Sequence, residues 1–93
     1  MEHPVADDAR AKIINRLRRI EGQARGIQRM VKEGENCTAI ITQLTALQAA
    51  VKTVSKVVLS NYLECCLEEE LAKGGDYRAA VKRATEILIQ AKL

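Results

Sequence analysis

The sequence contains no phenylalanine and no tryptophan, and its only aromatic residues are Tyr62 and Tyr77. Proteins that grip single-stranded nucleic acid stack bases on aromatic rings, so that class of partner is disfavoured. Proline occurs once, at Pro4, and glycine only at positions 22, 26, 34, 74 and 75, which leaves long stretches with nothing to break a helix. Histidine also occurs once, at His3, within a tail over residues 1–7 that is expected to be disordered. No apolar run approaches the roughly 18 to 20 residues that cross a bilayer, and "MEHPVADDAR" has neither the basic nor the apolar region of a secretory leader. A cytoplasmic protein without membrane contact is expected. No nucleophile triad, acid/base pair or phosphate-cradling glycine loop is visible, so an enzyme is not.

What is present is aliphatic. Hydrophobic residues make up 47% of the chain, mostly Ala, Val, Ile and Leu, which suits a helical core. A chain of 93 residues is enough for one domain, 1–93. At that size burial barely offsets ordering entropy, so a partner subunit would help. The net charge of +3 says little, but its distribution is uneven. Residues 10–32 hold Arg10, Lys12, Arg16, Arg18, Arg19, Arg25, Arg29 and Lys32 against the single acid Glu21, while Glu64, Glu68, Glu69 and Glu70 cluster later. A basic first helix suits phosphate contact, with a solvated face as the plain alternative.

The punctuation predicts three helices. Asp7 or Asp8 is placed to cap the first, whose apolar residues Ile13, Leu17, Ile20, Ala24, Ile27 and Val31 form one stripe. Gly34 ends it, and Asn36 caps a second helix that runs unbroken from Cys37 to about Lys73. Such a helix is about 55 Å long, more than a globule of this size is wide, so it must pack against another chain. Gly74 and Gly75 close it. Asp76 caps a third helix with Tyr77, Ala80, Val81, Ala84, Ile87, Leu88 and Ala91 on its apolar face.

Three cysteines in a reducing compartment are not a disulfide framework, which leaves metal, redox or packing roles. On one helix Cys37 and Cys66 lie roughly 43 Å apart along the axis but only about 20° apart in rotation, so they share a face and cannot touch. Cys65 falls about 80° away. The shared face carries Ile41, Leu44, Gln48, Val51, Ser55, Val58 and Tyr62, an apolar seam of the kind that packs helices. If two such helices run antiparallel about an axis near Val51 and Lys52, Cys37 of one chain lands beside Cys66 of the other, twice. Plain packing of the thiols remains the simpler alternative, and the chain would then be a helical dimerisation module.

The segments "NRLRRIEGQARGI" (15–27), "CTAIITQLTALQAAV" (37–51) and "NYLECCLEEEL" (61–71) together resemble the copper-sensitive operon repressor family, CsoR/RcnR, of bacterial effector-responsive repressors. The likeness spans nearly the whole chain and rests on Arg16-x-x-x-Ile20-x-Gly22-Gln23 and on a Cys opening a long second helix. It implies an all-α fold of three helices per chain. It also implies antiparallel helical-bundle dimers paired into a tetramer, which binds double-stranded operator DNA and releases it when an effector binds. By match to the motif, Arg16 is the first candidate for DNA contact. Arg18, Arg19, Arg25, Lys52 and Lys56 follow from charge.

Copper sensors of this family use a Cys, a His and a second Cys four residues after that His; those positions hold Cys37, Tyr62 and Cys66 here. The nickel and cobalt branch needs several histidines, of which only His3 is present. A formaldehyde-responsive branch uses the first Cys with an N-terminal proline amine, for which Pro4 is the counterpart. The branch that keeps two cysteines without the His is the persulfide-sensing one, CstR-like. It implies Cys37 and Cys66 as effector-sensing thiols, Cys65 and Tyr62 as accessory residues, low-molecular-weight persulfides or polysulfides as effector, and no cofactor. The alternative is a repressor responsive to Cu(I) or another metal, using Cys37, Cys65 and Cys66. Cys37 follows the cap Asn36, where free amide hydrogens favour negative charge, and is expected to attack first. Cys66, near Glu64, Glu69 and Glu70, is assigned the resolving role, with any cation expected from a partner chain.

Overall fold

A computed structural model describes residues 4–91. It consists of α1 (Asp7–Lys32), α2 (Cys37–Ala72) and α3 (Arg78–Ala91). Among the described residues there is no strand, as expected for an all-α chain. The long α2 is unbroken. α1 folds back along its first part, and α3 folds back along its last part.

Both turns are built the same way. At the end of α1, Gly34 takes φ 75, and its N–H and that of Glu35 bond back to Val31 O (3.2 Å) and Met30 O (3.0 Å). At the end of α2, Gly74 takes φ 73, with Gly74 N–H to Leu71 O (3.1 Å) and Gly75 N–H to Glu70 O (2.8 Å). This left-handed reversal satisfies the last helical carbonyls and favours glycine, which has no Cβ to clash.

The start of α2 also follows the local rule, because the Asn36 side chain accepts the Ala39 N–H at 2.8 Å. Asn36→Ala is expected to cost about 1 kcal/mol, read as a lower thermal unfolding midpoint by circular dichroism. An unchanged midpoint would mean that the cap contributes nothing.

Three expectations about the helix ends need correction. Asp7 and Asp8 do not cap α1. They lie in its first turn, where acids favour the helix dipole, and the cap position is Ala6, without a side-chain bond. The expected tail of residues 1–7 is therefore too long by at least one residue, since Asp7 is helical and Ala6 N–H is held by Asn61 Oδ1 at 3.1 Å. Asp76 does accept Arg78 N–H at 2.9 Å and so closes the start of α3, but the regular helix begins only at Arg78. Tyr77 therefore stands outside that helix and is exposed.

Packing within one chain is thin. The buried apolar side chains are Ile13, Ile27, Val54, Cys66, Ala80 and Ala84. Leu17 and Val31, expected on the buried stripe of α1, are exposed, because one neighbouring helix cannot cover a stripe that wide. The chain measures 59 × 26 × 16 Å, and its radius of gyration is 17.5 Å. A self-contained domain of this length would have a radius of about 12 Å. Its missing contacts lie along α2, where Ile41 is 60%, Leu44 42% and Val51 46% exposed. No helix of the described residues is long and apolar enough to cross a membrane.

Candidate effector-sensing and operator-binding site

The unbroken α2 fixes the thiols at opposite ends of one seam. Cys37, its first residue, is exposed. Cys66 is 3% exposed, and Cys65, on the neighbouring face, is half-buried. Cys66 lies in the last part of α2, against which α3 folds back. The inner face of α3 carries small side chains, Ala80 and Ala84, themselves buried, which lets the two helices approach closely. The helix rise separates Cys37 and Cys66 of one chain by roughly 43 Å, so any chemistry joining them uses two chains.

Burial sets an order of reactivity. Limited alkylation of the reduced native protein with iodoacetamide, read cysteine by cysteine by mass spectrometry, is expected to modify Cys37 first and Cys66 last. Equal rates for the two would contradict the placement of α3.

One residue of this region was not legible in the sequence. Arg83, on α3, stands beside Tyr62 of α2 in one groove. Hydrogen bonding with the Tyr62 side chain first, then attraction to Tyr62 and, more weakly, to Cys66 and Glu70, pushes the guanidinium pKa upward against a small opposing desolvation. The sequence points to a partner chain for any cation near Cys66; α3 of the same chain also brings one, Arg83, to this region. Tyr62 and Arg83 line a groove together with Val54, Ser55, Val58 and Ile87. The only sequence signal for Arg83 is its place on the flank of the apolar face of α3, one turn before Ile87. Nothing local announces its partner, Tyr62, on another helix.

The basic residues separate into two sets. Arg16, Arg19, Ile20 and Gln23 of α1 line a shallow depression with Ala50 and Thr53 of α2. The Arg16-to-Gln23 pattern thus places its side chains on one face, because intervals of three, four and seven return to the same side of a helix. Lys56 lines the neighbouring depression with Lys12, Asp8 and Glu64, and Lys52 is exposed one turn earlier on α2. Arg18 and Arg25 are exposed too, but roughly 160 to 180° around α1 from Arg16. The candidate DNA contacts therefore do not form one patch on a single chain.

Among the described residues, no group of three or more His, Cys, Asp or Glu side chains is positioned to hold a metal within one chain. His3 lies outside the described residues.

Comparison with known proteins gives this geometry a context. The copper-sensing transcriptional repressor CsoR of Bacillus subtilis is 40% identical over 76 residues, covering 82% of this chain and 74% of that protein. The copper-sensing transcriptional repressor RicR of Mycobacterium tuberculosis is 42% identical over 60 residues, covering 64% of this chain and 62% of that protein. Among solved structures, the Cu(I)-bound copper-sensing repressor CsoR of Geobacillus thermodenitrificans superposes with a TM-score of 0.79 at 28% identity, covering 99% of this chain and 95% of that one. The nickel-responsive transcriptional regulator InrS gives 0.76 at 28% identity, covering 97% and 98%. All four are transcriptional regulators, not enzymes. Residues 9–91 match the sequence profile of metal-sensitive transcriptional repressors, and the chain belongs to that family.

Proposed function

We propose that this chain is a cytoplasmic repressor that binds double-stranded operator DNA as a homotetramer of antiparallel dimers. Its switch is the pair Cys37 and Cys66 joined across the dimer interface, and its effector is a low-molecular-weight persulfide or polysulfide. The observation that carries this reading is the uninterrupted α2, with an exposed apolar seam and a thiol at each end of it. An antiparallel mate turned about Val51 and Lys52 covers that seam. It sets its Ile41 and Leu44 toward the groove lined by Val58 and Tyr62, and its Cys37 against Cys66.

The chemistry then balances. The Cys37 thiolate attacks the sulfane sulfur of a persulfide RSSH; the S–S bond breaks, RS⁻ leaves and takes up a proton as RSH, and Cys37 becomes a persulfide. The Cys66 thiolate attacks the inner sulfur of that group and expels HS⁻, which leaves an interchain disulfide. Two thiols are oxidised and the sulfane sulfur is reduced to sulfide. Attack is fastest when the thiol is accessible and ionised, and the exposure of Cys37 supports its leading role. The cross-link ties the ends of two α2 helices and biases the tetramer away from its DNA-binding shape, at about 1 to 3 kcal/mol of coupling.

A second reading, a Cu(I)-responsive repressor, draws support from the relatives named as copper sensors. Thiolates suit Cu(I). The rest of the donor set does not fit: a third ligand one turn before Cys66 would be Tyr62, a phenol engaged by a guanidinium. Cys65 lies on another face of the helix.

The deciding experiment measures binding to duplex DNA from upstream of its own gene, before and after an organic persulfide, with intact mass spectrometry and a Cu(I) titration against a chelator in parallel. Operator release with interchain Cys37–Cys66 linkage supports the persulfide reading. Release by stoichiometric Cu(I), with no response to the persulfide, replaces it with the second.

A further inference from the structure

Arg83 is placed where a metal sensor would have no use for it. It lies on α3, which packs against the part of α2 that carries the buried Cys66, and it lines one groove with Tyr62, the residue one turn before Cys66 on the same face of α2. The groove brings Arg83 of α3 and Tyr62 of α2 together across the α2–α3 packing. The ion pairs among the described residues are Arg10–Asp7, Lys73–Glu69 and Arg78–Asp76, and Arg83 is in none of them. Glu70 is near enough to attract it, and Lys73 near enough to feel its repulsion. Its charge is therefore not consumed by a direct carboxylate contact.

A cation near a thiol, not held in a direct ion pair, works on whatever approaches that thiol. It attracts anions and repels cations, with a strength set by distance and local dielectric. A guanidinium also offers several donors in a fixed plane, suited to a carboxylate or to anionic sulfur. Under the proposed antiparallel pairing, the mate's Cys37 meets Cys66 one turn beyond Tyr62, so Arg83 stands at the edge of the composite site.

We propose that Arg83 is a specificity-determining residue of the thiol site: it selects anionic effectors, such as deprotonated or carboxylate-bearing persulfides, over cations. The inference rests on the reading that the effector acts at Cys37 and Cys66, and it names the charge class of that effector.

The test needs no effector. Reduced full-length protein is alkylated in parallel with iodoacetate, an anion, and iodoacetamide, its neutral analogue of similar size. The rate ratio of the two is read at Cys37 and Cys66 by mass spectrometry. Arg83→Gln is expected to lower the iodoacetate-to-iodoacetamide ratio at one or both cysteines by about three- to tenfold, the effect of removing one cation a few ångströms from an approaching anion. Arg83→Lys, which keeps the charge, is expected to retain the wild-type ratio. Lys82→Gln, which removes the adjacent cation, is expected to leave it unchanged. Because each variant is its own control through the neutral reagent, a loosened α3 raises both rates and cancels. Equal ratios in wild type and Arg83→Gln overturn the proposal, whatever a persulfide does to operator binding. So does an Arg83→Lys ratio as low as that of Arg83→Gln. Failure of persulfides to release operator, with the ratio shifted as expected, would remove the persulfide reading and leave the anion selectivity standing.

Discussion

Val51→Glu is expected to leave the protein monomeric and unable to hold its operator. Val51 is 46% exposed at the midpoint of the α2 seam, next to the proposed two-fold axis between chains. A two-fold axis makes any change there act twice, setting two carboxylates against each other in a surface meant to be dry. Burying charge without a partner costs several kcal/mol, comparable with the whole stability of a small domain. Glutamate is a good helix former, so far-ultraviolet circular dichroism is expected to report a helical but less stable chain. Size-exclusion chromatography with light scattering supplies the reading. An assembly of wild-type mass would place the interface elsewhere and, with it, dismantle the pairing of Cys37 with Cys66.

Arg16→Ala is the second large effect. Arg16 lines the α1–α2 depression beside Arg19 and Gln23. A base-reading arginine is worth about 1 to 3 kcal/mol, roughly 5- to 150-fold in operator affinity, and its loss relaxes specificity. A phosphate-contacting arginine instead weakens all sequences alike and lowers the salt slope by about one. Titrations of operator and unrelated duplex at several salt concentrations separate these cases. Arg19→Ala is expected to follow Arg16→Ala. Arg18→Ala and Arg25→Ala, on the far side of α1, are expected to have smaller effects. Arg18→Ala matching Arg16→Ala would move the DNA face around the helix.

The two halves of the site differ in how they were encoded. The seam was legible because it is a property of one helix: nothing between Cys37 and Ala72 breaks it, and 29 residues are almost a whole number of turns. The Arg16-to-Gln23 face was legible for the same reason. The cation at Tyr62 was not, since Arg83 belongs to a helix whose docking depends on the shape of Ala80 and Ala84 rather than on any spacing along the chain. The error over Asp7 and Asp8 is of another kind. Two acids before an apolar stripe fit a cap and a first turn equally well, and Ala6, tied to Asn61 more than fifty positions away, decided between them.

The sequence alone thus determined the three helices, their glycine reversals at Gly34 and Gly74, the cap at Asn36 and the single face shared by Cys37 and Cys66, because each depends on interactions within a few residues or on helical period. The tertiary structure decided which sulfur is buried, which arginines stand together, and that Arg83 meets Tyr62. Those outcomes depend on how α1 and α3 settle against α2, and packing between helices is a matter of surface shape that no local pattern specifies.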